Sequence, residues 1–243
     1  MKIAVISDIH ANLVALKAVL EDVLEEKCDT VFCLGDIVLA GPQPKETIDF
    51  VRSQNWNIIQ GNTDKMIADF GPEILQMLQE NFPVIANAVV DDMNYFDDED
   101  KKFLNDLPPA LEMNVEGVKI LLVHGSPRYN NEDILPNMPL SAIEEIISPT
   151  DADLVLCGHT HVPCGYQTNN KQTVVNVGSV GRPMTETPLA CYAILDLNQG
   201  VFSVKHKFVE YDKELAADFV RKRGFNGADK LAALLIKPEV RHV

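Results

Sequence analysis

The sequence predicts an α/β fold with parallel strands at its centre, on three observations. Near the N-terminus a short apolar run is followed by a helix-period segment and then a second apolar run. That alternation recurs down the chain. Residues able to bind metal ions fall just after the apolar runs, where open α/β sheets hold their ligands.

Residues 2–6, Lys-Ile-Ala-Val-Ile, form a continuous apolar run that suits a strand covered on both faces. Residues 12–26 change to helical period. Leu13, Leu16, Val19, Leu20, Val23 and Leu24 share one face, Glu21, Asp22, Glu25 and Glu26 fall opposite, and Asn12 offers an N-cap. The run Val31-Phe32-Cys33-Leu34 closes a βαβ unit, which implies a parallel pair. Pro44 suits the first turn of a helix over 45–53. Further strands are expected at Trp56–Ile59, Ile120–Val123, Leu154–Cys157, Thr173–Val177, Cys191–Leu195 and Val201–Val209. The last two alternate and are joined by Asn198-Gln199-Gly200, which predicts an antiparallel portion. Helices are expected over 64–80, over 97–106 behind the acidic start Asp97–Asp100, and over 212–223 and 227–236 with Gly224 between them. With no repeat, linker or low-complexity tract, residues 1–243 read as one domain carrying a helical insertion at about 65–118. The apolar residues of that insertion, among them Met66, Met77, Phe82, Tyr95 and Phe96, would cap a crevice, form a homo-oligomer surface or simply be core.

Composition narrows the function. A chain of 243 residues, 46% hydrophobic, can bury a full core. Its formal net charge of −15, from 36 acidic against 21 basic residues, repels polyanions and argues against a general nucleic-acid or acidic-membrane binder. Small anionic substrates remain compatible, because bound cations reverse the local field. The cysteines Cys28, Cys33, Cys157, Cys164 and Cys191 contain no C-x-x-C pair and read as small core residues in a reducing compartment. With no signal-peptide pattern and no 18-residue apolar run, a cytoplasmic location is expected.

The polar residues at the strand ends carry the chemistry. Asp8 and His10 follow the first strand, Gly35-Asp36 the second and Gly61-Asn62 the third. His124-Gly125 and Gly158-His159-Thr160-His161 follow two more. Alone, a D-x-H or Gly-Asp pair is usually a turn or surface feature. Together these loops converge on one crevice and offer four imidazoles, two carboxylates and an amide oxygen, a set suited to two divalent Mn, Ni, Fe, Co or Zn ions. A carboxylate shared by two cations holds them about 3.5–4 Å apart, the spacing used in phosphoryl hydrolysis. A water between them would become a hydroxide nucleophile near neutral pH, and the cations would stabilise the charge that develops on phosphorus oxygens.

This ordered set resembles the calcineurin-like metallophosphoesterase superfamily, and Asn176-Val177-Gly178-Ser179-Val180 is similar to a stretch of its small prokaryotic phosphodiesterase branch. The resemblance implies a four-layer αββα sandwich of two mixed sheets. It implies that Asp8, His10 and His161 hold one metal, that Asp36 bridges, and that Asn62, His124 and His159 hold the second. It also implies Mn²⁺ as the favoured ion.

One departure matters. Many members carry Gly-Asn-His-Asp/Glu, whereas this chain has Gly61-Asn62-Thr63-Asp64. A hydroxyl is a poor general acid, so substrates with good leaving groups are favoured. Thr63 is expected to bond a phosphate oxygen and Asp64 to support His10. Arg128 and Arg182 each read either as phosphate contacts or as ion-paired loop residues. Cys164 and Tyr166 read as packing residues, and His206 and His242 receive no site role. The leading expectation is hydrolysis of a small phosphodiester or phosphoanhydride, dinucleoside polyphosphates included. The alternatives are a phosphomonoesterase and a non-catalytic metal-binding scaffold.

Overall fold

Among the described residues, 1–241 of the computed structural model, ten strands form two five-stranded mixed sheets. His242 lies outside the described residues. In the first sheet, β1 (Lys2–Ile6) pairs parallel with β2 (Thr30–Cys33), which pairs parallel with the short β3 (Asn57–Ile58). On its other side β1 pairs antiparallel with β9 (Ala190–Asn198), and β10 (Val201–Val209) closes that edge as a hairpin. The second sheet runs β4-β5-β6-β8-β7: β4 (Ala110–Val115), β5 (Val118–Val123), β6 (Leu154–Cys157), β8 (Thr173–Asn176) and β7 (Cys164–Gln167). Its centre, β5, β6 and β8, is parallel, and both edges are antiparallel.

The pleat explains the continuous apolar runs. Ile3 and Val5 of β1 face the second sheet and pack with Phe32, Ile120, Leu122, Leu154 and Leu156. Ala4 and Ile6 face the other way, into a cluster with Leu16 and Val19 of α1 (Leu13–Glu25) and Ile48 and Val51 of α2 (Pro44–Arg52). The outer face of the second sheet, through Leu121, Val123 and Val155, packs on Ile143, Ile146 and Ile147 of α7 (Leu140–Ile147). Two sheets face each other with helices outside each, the expected αββα sandwich. Each large apolar side chain of such a doubly covered strand contributes about 1.5–3 kcal/mol of burial, so polar replacements at Ile3 or Val5 are not tolerated.

The segment between the ligand motifs differs from expectation. The helix expected over 64–80 is two helices, α3 (Asn62–Ala68) and α4 (Pro72–Asn81), because Gly71 is fully extended and Pro72 can only start a helix. α5 (Pro83–Asp92) and α6 (Asp98–Asp106) follow. The last part of the expected helical insertion is β4: Leu111, Met113 and Val115 alternate with Glu112 and Asn114 and pack against the inter-sheet core. At the C-terminal end, α8 (Lys213–Arg223) stops at Gly224, which is left-handed at φ 72°, and α9 (Ala228–Ile236) folds back on α8.

Candidate metal centre

The parallel strands end at one edge of the sandwich, and their loops meet there. Asp8 and His10 leave β1, Asp36 leaves β2, and Asn62 opens α3 just beyond β3. His124 leaves β5, and His159 and His161 leave β6. The first sheet therefore donates four of these side chains and the second sheet three. Asp8, His10, Asp36, His159 and His161 all have left-handed backbone, with φ between 45° and 68°. Each such non-glycine residue costs about 1–2 kcal/mol, and the cost is met locally by a dense backbone network. The amides of Asp8, His10 and Ala11 donate to the carbonyls of Gly35, Asp36 and Ile37 at 3.0, 2.9 and 2.8 Å. Glycine permits the closest approaches. A Cβ on Gly61 would stand 2.1 Å from Asp36 Oδ1, and one on Gly158 would stand 2.5 Å from Asp8 Oδ2.

The first group is Asp8, His10, Asp36 and His161, all buried, with one ligand atom from each lying within 4.8 Å of the others. The Nε2 atoms of His10 and His161 are 3.0 Å apart, and Asp8 Oδ1 is 3.2 Å from His161 Nε2. His161 Nδ1 donates to the Arg182 carbonyl at 2.5 Å, which leaves the Nε2 lone pair facing inward. Asp8 Oδ1 is buried without a hydrogen-bond partner.

The second group surrounds Asn62 Oδ1, which lies 3.0 Å from His124 Nε2 and 2.8 Å from His159 Nδ1. His124 Nδ1 donates to the Leu34 carbonyl at 2.7 Å, so Nε2 is the nitrogen turned to this group. Asp36 stands between the groups, with Oδ2 3.7 Å from His10 Nε2 and Oδ1 3.4 Å from His124 Nε2.

Electrostatics match the geometry. Burial, then His161, lowers the His10 pKa to about 3, so this ring is neutral and able to coordinate. Burial opposes protonation of His124 too, but Asp36 and Asp8 outweigh it and raise the pKa to about 10. Burial works against ionisation of Asp8 and Asp36, yet the facing imidazoles hold both carboxyls below their usual range. Converging lone pairs, an orphaned buried carboxylate oxygen and two ionised acids fit divalent cations in both groups.

Residues outside the ligand set support it, among them Asn176 and Ser179 of the Asn-x-Gly-Ser stretch. Asn176 Nδ2 donates to the Gly158 carbonyl at 2.7 Å and to Thr160 Oγ1 at 2.8 Å, which pins the His159–His161 loop. Ser179 Oγ donates to the Asp8 carbonyl at 2.9 Å. Asp133 Oδ1 lies 3.3 Å from His159 Nε2, and Arg241 holds the other oxygen of Asp133 at 2.6 Å. Such a carboxylate fixes the imidazole tautomer and turns Nδ1 inward.

Other residues take different roles from those expected. Thr63 Oγ1 donates to the Val38 carbonyl at 3.0 Å, and its amide donates to Asp36 Oδ1 at 2.8 Å. Its hydroxyl proton is committed to the backbone rather than offered to phosphate. Asp64 does not support His10. It accepts from the amides of Asp36, Ile37 and Gly61 at 2.8–2.9 Å and fixes the Asp36 loop. Arg128 is held by Glu132 and Glu145 rather than turned to the crevice. Tyr166 donates to the Leu135 carbonyl, Cys164 packs behind the second sheet, and His206 Nε2 bonds the Asn176 carbonyl at 2.7 Å. Arg182 lines the crevice with His10, Asp36 and His161.

A sandwich whose two sheets jointly bring Asp8, His10, Asp36 and His161 together as a candidate metal cluster is a metallohydrolase scaffold. Residues 1–200 match the calcineurin-like phosphoesterase superfamily domain, and the chain belongs to that family. It is 31% identical to the uncharacterized protein MJ0912 of Methanocaldococcus jannaschii over 236 residues, which covers 90% of this chain and 92% of that one. The crystal structure of the hypothetical protein PH1004 from Pyrococcus horikoshii superposes with a TM-score of 0.87 at 27% identity, covering 99% of both chains. A metallophosphoesterase from Sphaerobacter thermophilus gives 0.79 at 29% identity, covering 97% of this chain and 98% of that one.

Proposed function

We propose that this protein is a two-metal hydrolase that cleaves a small phosphodiester or phosphoanhydride, with dinucleoside polyphosphates within its range. The observation that carries this reading is the Asp36 carboxylate, whose two oxygens face two separate ligand groups. Asp8, His10 and His161 would hold one divalent ion and Asn62, His124 and His159 the other, with Mn²⁺ favoured for this mixed nitrogen and oxygen set. Ions held there supply a water of lowered pKa and positive charge for the phosphoryl oxygens.

The chain's own residues bear on substrate class. Every imidazole of the crevice is a ligand, and the Thr63 hydroxyl is committed to Val38. No side chain at position 63 can hand a proton to a departing alkoxide, so the leaving group must be stable as an anion, as an aryloxide or a phosphate is. Opposite the ligands, Leu39, Met66, Met77, Phe82 and Ile85 form an apolar wall. Such a wall suits an organic group on the far side of phosphorus, which a diester has and inorganic phosphate lacks. The five free thiols favour a reducing, cytoplasmic setting, and among the described residues no helix is long and apolar enough to cross a membrane.

The test is hydrolysis of bis-p-nitrophenyl phosphate beside p-nitrophenyl phosphate, using metal-stripped protein with Mn²⁺, Ni²⁺ or EDTA. Metal-dependent cleavage that favours the diester is expected. Preference for the monoester would make the protein a phosphatase, and no cleavage of either by Mn²⁺-loaded protein would remove the diesterase reading.

A further inference from the structure

Arg182 is the one cation of the crevice wall among the described residues, and its backbone is fastened to both loops of the first ligand group. Its carbonyl accepts from His161 Nδ1 at 2.5 Å, and its amide donates to Ser179 Oγ at 2.9 Å. The preceding amide, of Gly181, donates to the Asp8 carbonyl at 2.9 Å. A Cβ at Gly181 would fall 1.8 Å from the Ile9 carbonyl, so this turn cannot move away from the metal loops. The Arg182 side chain stands along the wall that His10 and His161 share with Thr63 and Met184.

Its charge has no carboxylate within 4.0 Å among the described residues, and its guanidinium makes no hydrogen bond there. The contrast with Arg223 is direct. Arg182 is half-buried, whereas the Arg223 side chain is buried and neutralised by Asp91 and Asp92 at 2.6 Å each. Glu239 shares a small cavity behind Arg182, but it is exposed and forms no ion pair with it. A guanidinium left beside two cation sites is repelled by whatever they bind, so its position is favourable only when an anion enters the crevice. The reacting phosphoryl group belongs over Asp36, between the two ligand groups. Arg182 flanks the first group, to one side.

We propose that Arg182 recognises a second phosphate, adjacent to the one that is cleaved, and so selects phosphoanhydride-containing nucleotides over isolated diesters. This rests on the two-metal phosphoesterase reading. The planar fork of a guanidinium grips two oxygens of one phosphate, which a lysine cannot do. Leaving-group chemistry points the same way. A phosphate departs without a proton donor, and this site has none at position 63.

The experiment measures calorimetric binding of AMP and of α,β-methylene-ADP, which carries one further phosphorus group and is not hydrolysed between them. Mn²⁺-loaded wild type, Arg182→Gln and Arg182→Lys are compared. Wild type is expected to bind the two-phosphorus ligand at least about tenfold more tightly than AMP. Arg182→Gln should close that gap, Arg182→Lys should keep part of it, and all three should hold the same amount of Mn²⁺. An equal gap in Arg182→Gln, or no gap in wild type, overturns the proposal. If Arg182→Gln loses Mn²⁺, Arg182→Lys becomes the deciding variant, and in it the gap must shrink by at least about threefold. Hydrolysis of bis-p-nitrophenyl phosphate by the same wild-type preparation is scored separately. A gap without hydrolysis supports the anion site and removes the diesterase reading, and hydrolysis without a gap does the reverse.

Discussion

The two halves of the candidate centre share Asp36 and differ in almost everything else. In the first, Asp8, His10 and His161 are 0%, 4% and 5% exposed, and Asp8 adds a second carboxylate beside Asp36. In the second, His124 is fully buried, but Asn62 and His159 are only half-buried and the oxygen donor of the group is a neutral amide. A dication beside two carboxylates is bound more tightly than one beside a single shared carboxylate. Enclosure adds to that difference by excluding competing water. The difference predicts a division of labour, in which the first half would hold its ion tightly and the second would hold a more exchangeable, substrate-facing one.

Removing the shared residue gives the largest effect. Asp36→Ala should lose both ions, and turnover should fall to the metal-free background, as read by bound Mn²⁺ and hydrolysis of an aryl diester. Full turnover in that variant would place the chemistry elsewhere. Next, the halves should separate. Asn62→Ala should retain one tightly bound Mn²⁺, whereas Asp8→Asn should weaken that tight ion. Metal titration of both variants decides this, and equal losses in the two would abolish the asymmetry.

Asp133→Asn gives a finer cut. It removes the negative charge that orients His159, so the second ion should weaken about 10–100-fold while the first is unchanged. Arg128→Ala should do least. Its ion pairs with Glu132 and Glu145 lie at the surface, and steady-state turnover should change by less than about threefold.

Protonation offers a further way to tell the halves apart. His124, with its pKa raised to about 10, is charged at neutral pH before metal binds, whereas His10, lowered to about 3, is neutral. Metal uptake at pH 7 should therefore release a proton from the second half, measurable by calorimetry in buffers of different ionisation enthalpy, and Asn62→Ala should lose much of that release. For the metal-free protein the stability signs are opposite. His10 in the unfolded chain takes a proton below its ordinary value of 6.5, so its contribution weakens stability as pH falls from there toward 3. The His124 contribution is fully present below 6.5 and is lost as pH rises through about 10. Melting temperatures of the metal-free protein should decline at both ends.

The candidate ligands stood out because each follows an apolar strand run and most sit beside a glycine, so local pattern and position coincide. The roles of the residues around them were not legible, even where, as at Asn176 and Ser179, the stretch itself stood out. Asn176 and Ser179 act on backbone carbonyls of loops far away in the sequence, and Asp133 reaches His159 from a stretch with no periodicity. Thr63 and Asp64 lay in a recognised motif, but their partners at positions 36–38 are contacts that only the folded chain creates. The fold's two departures from expectation have local causes. Gly71-Pro72 is plain punctuation inside a helical pattern, and the alternation of Leu111, Met113 and Val115 is a strand signal hidden within a largely helical insertion.

Because the candidate ligands come from both sheets, an ion held there would tie the two layers together at the edge where their loops open to solvent. Binding only the folded form, an ion at a hundred times its dissociation constant adds about 2.7 kcal/mol to stability, a large share of what holds a domain together. A cell starved of the metal would then do more than idle this protein. The loosened sandwich would visit its open forms more often, and proteases would draw the population down.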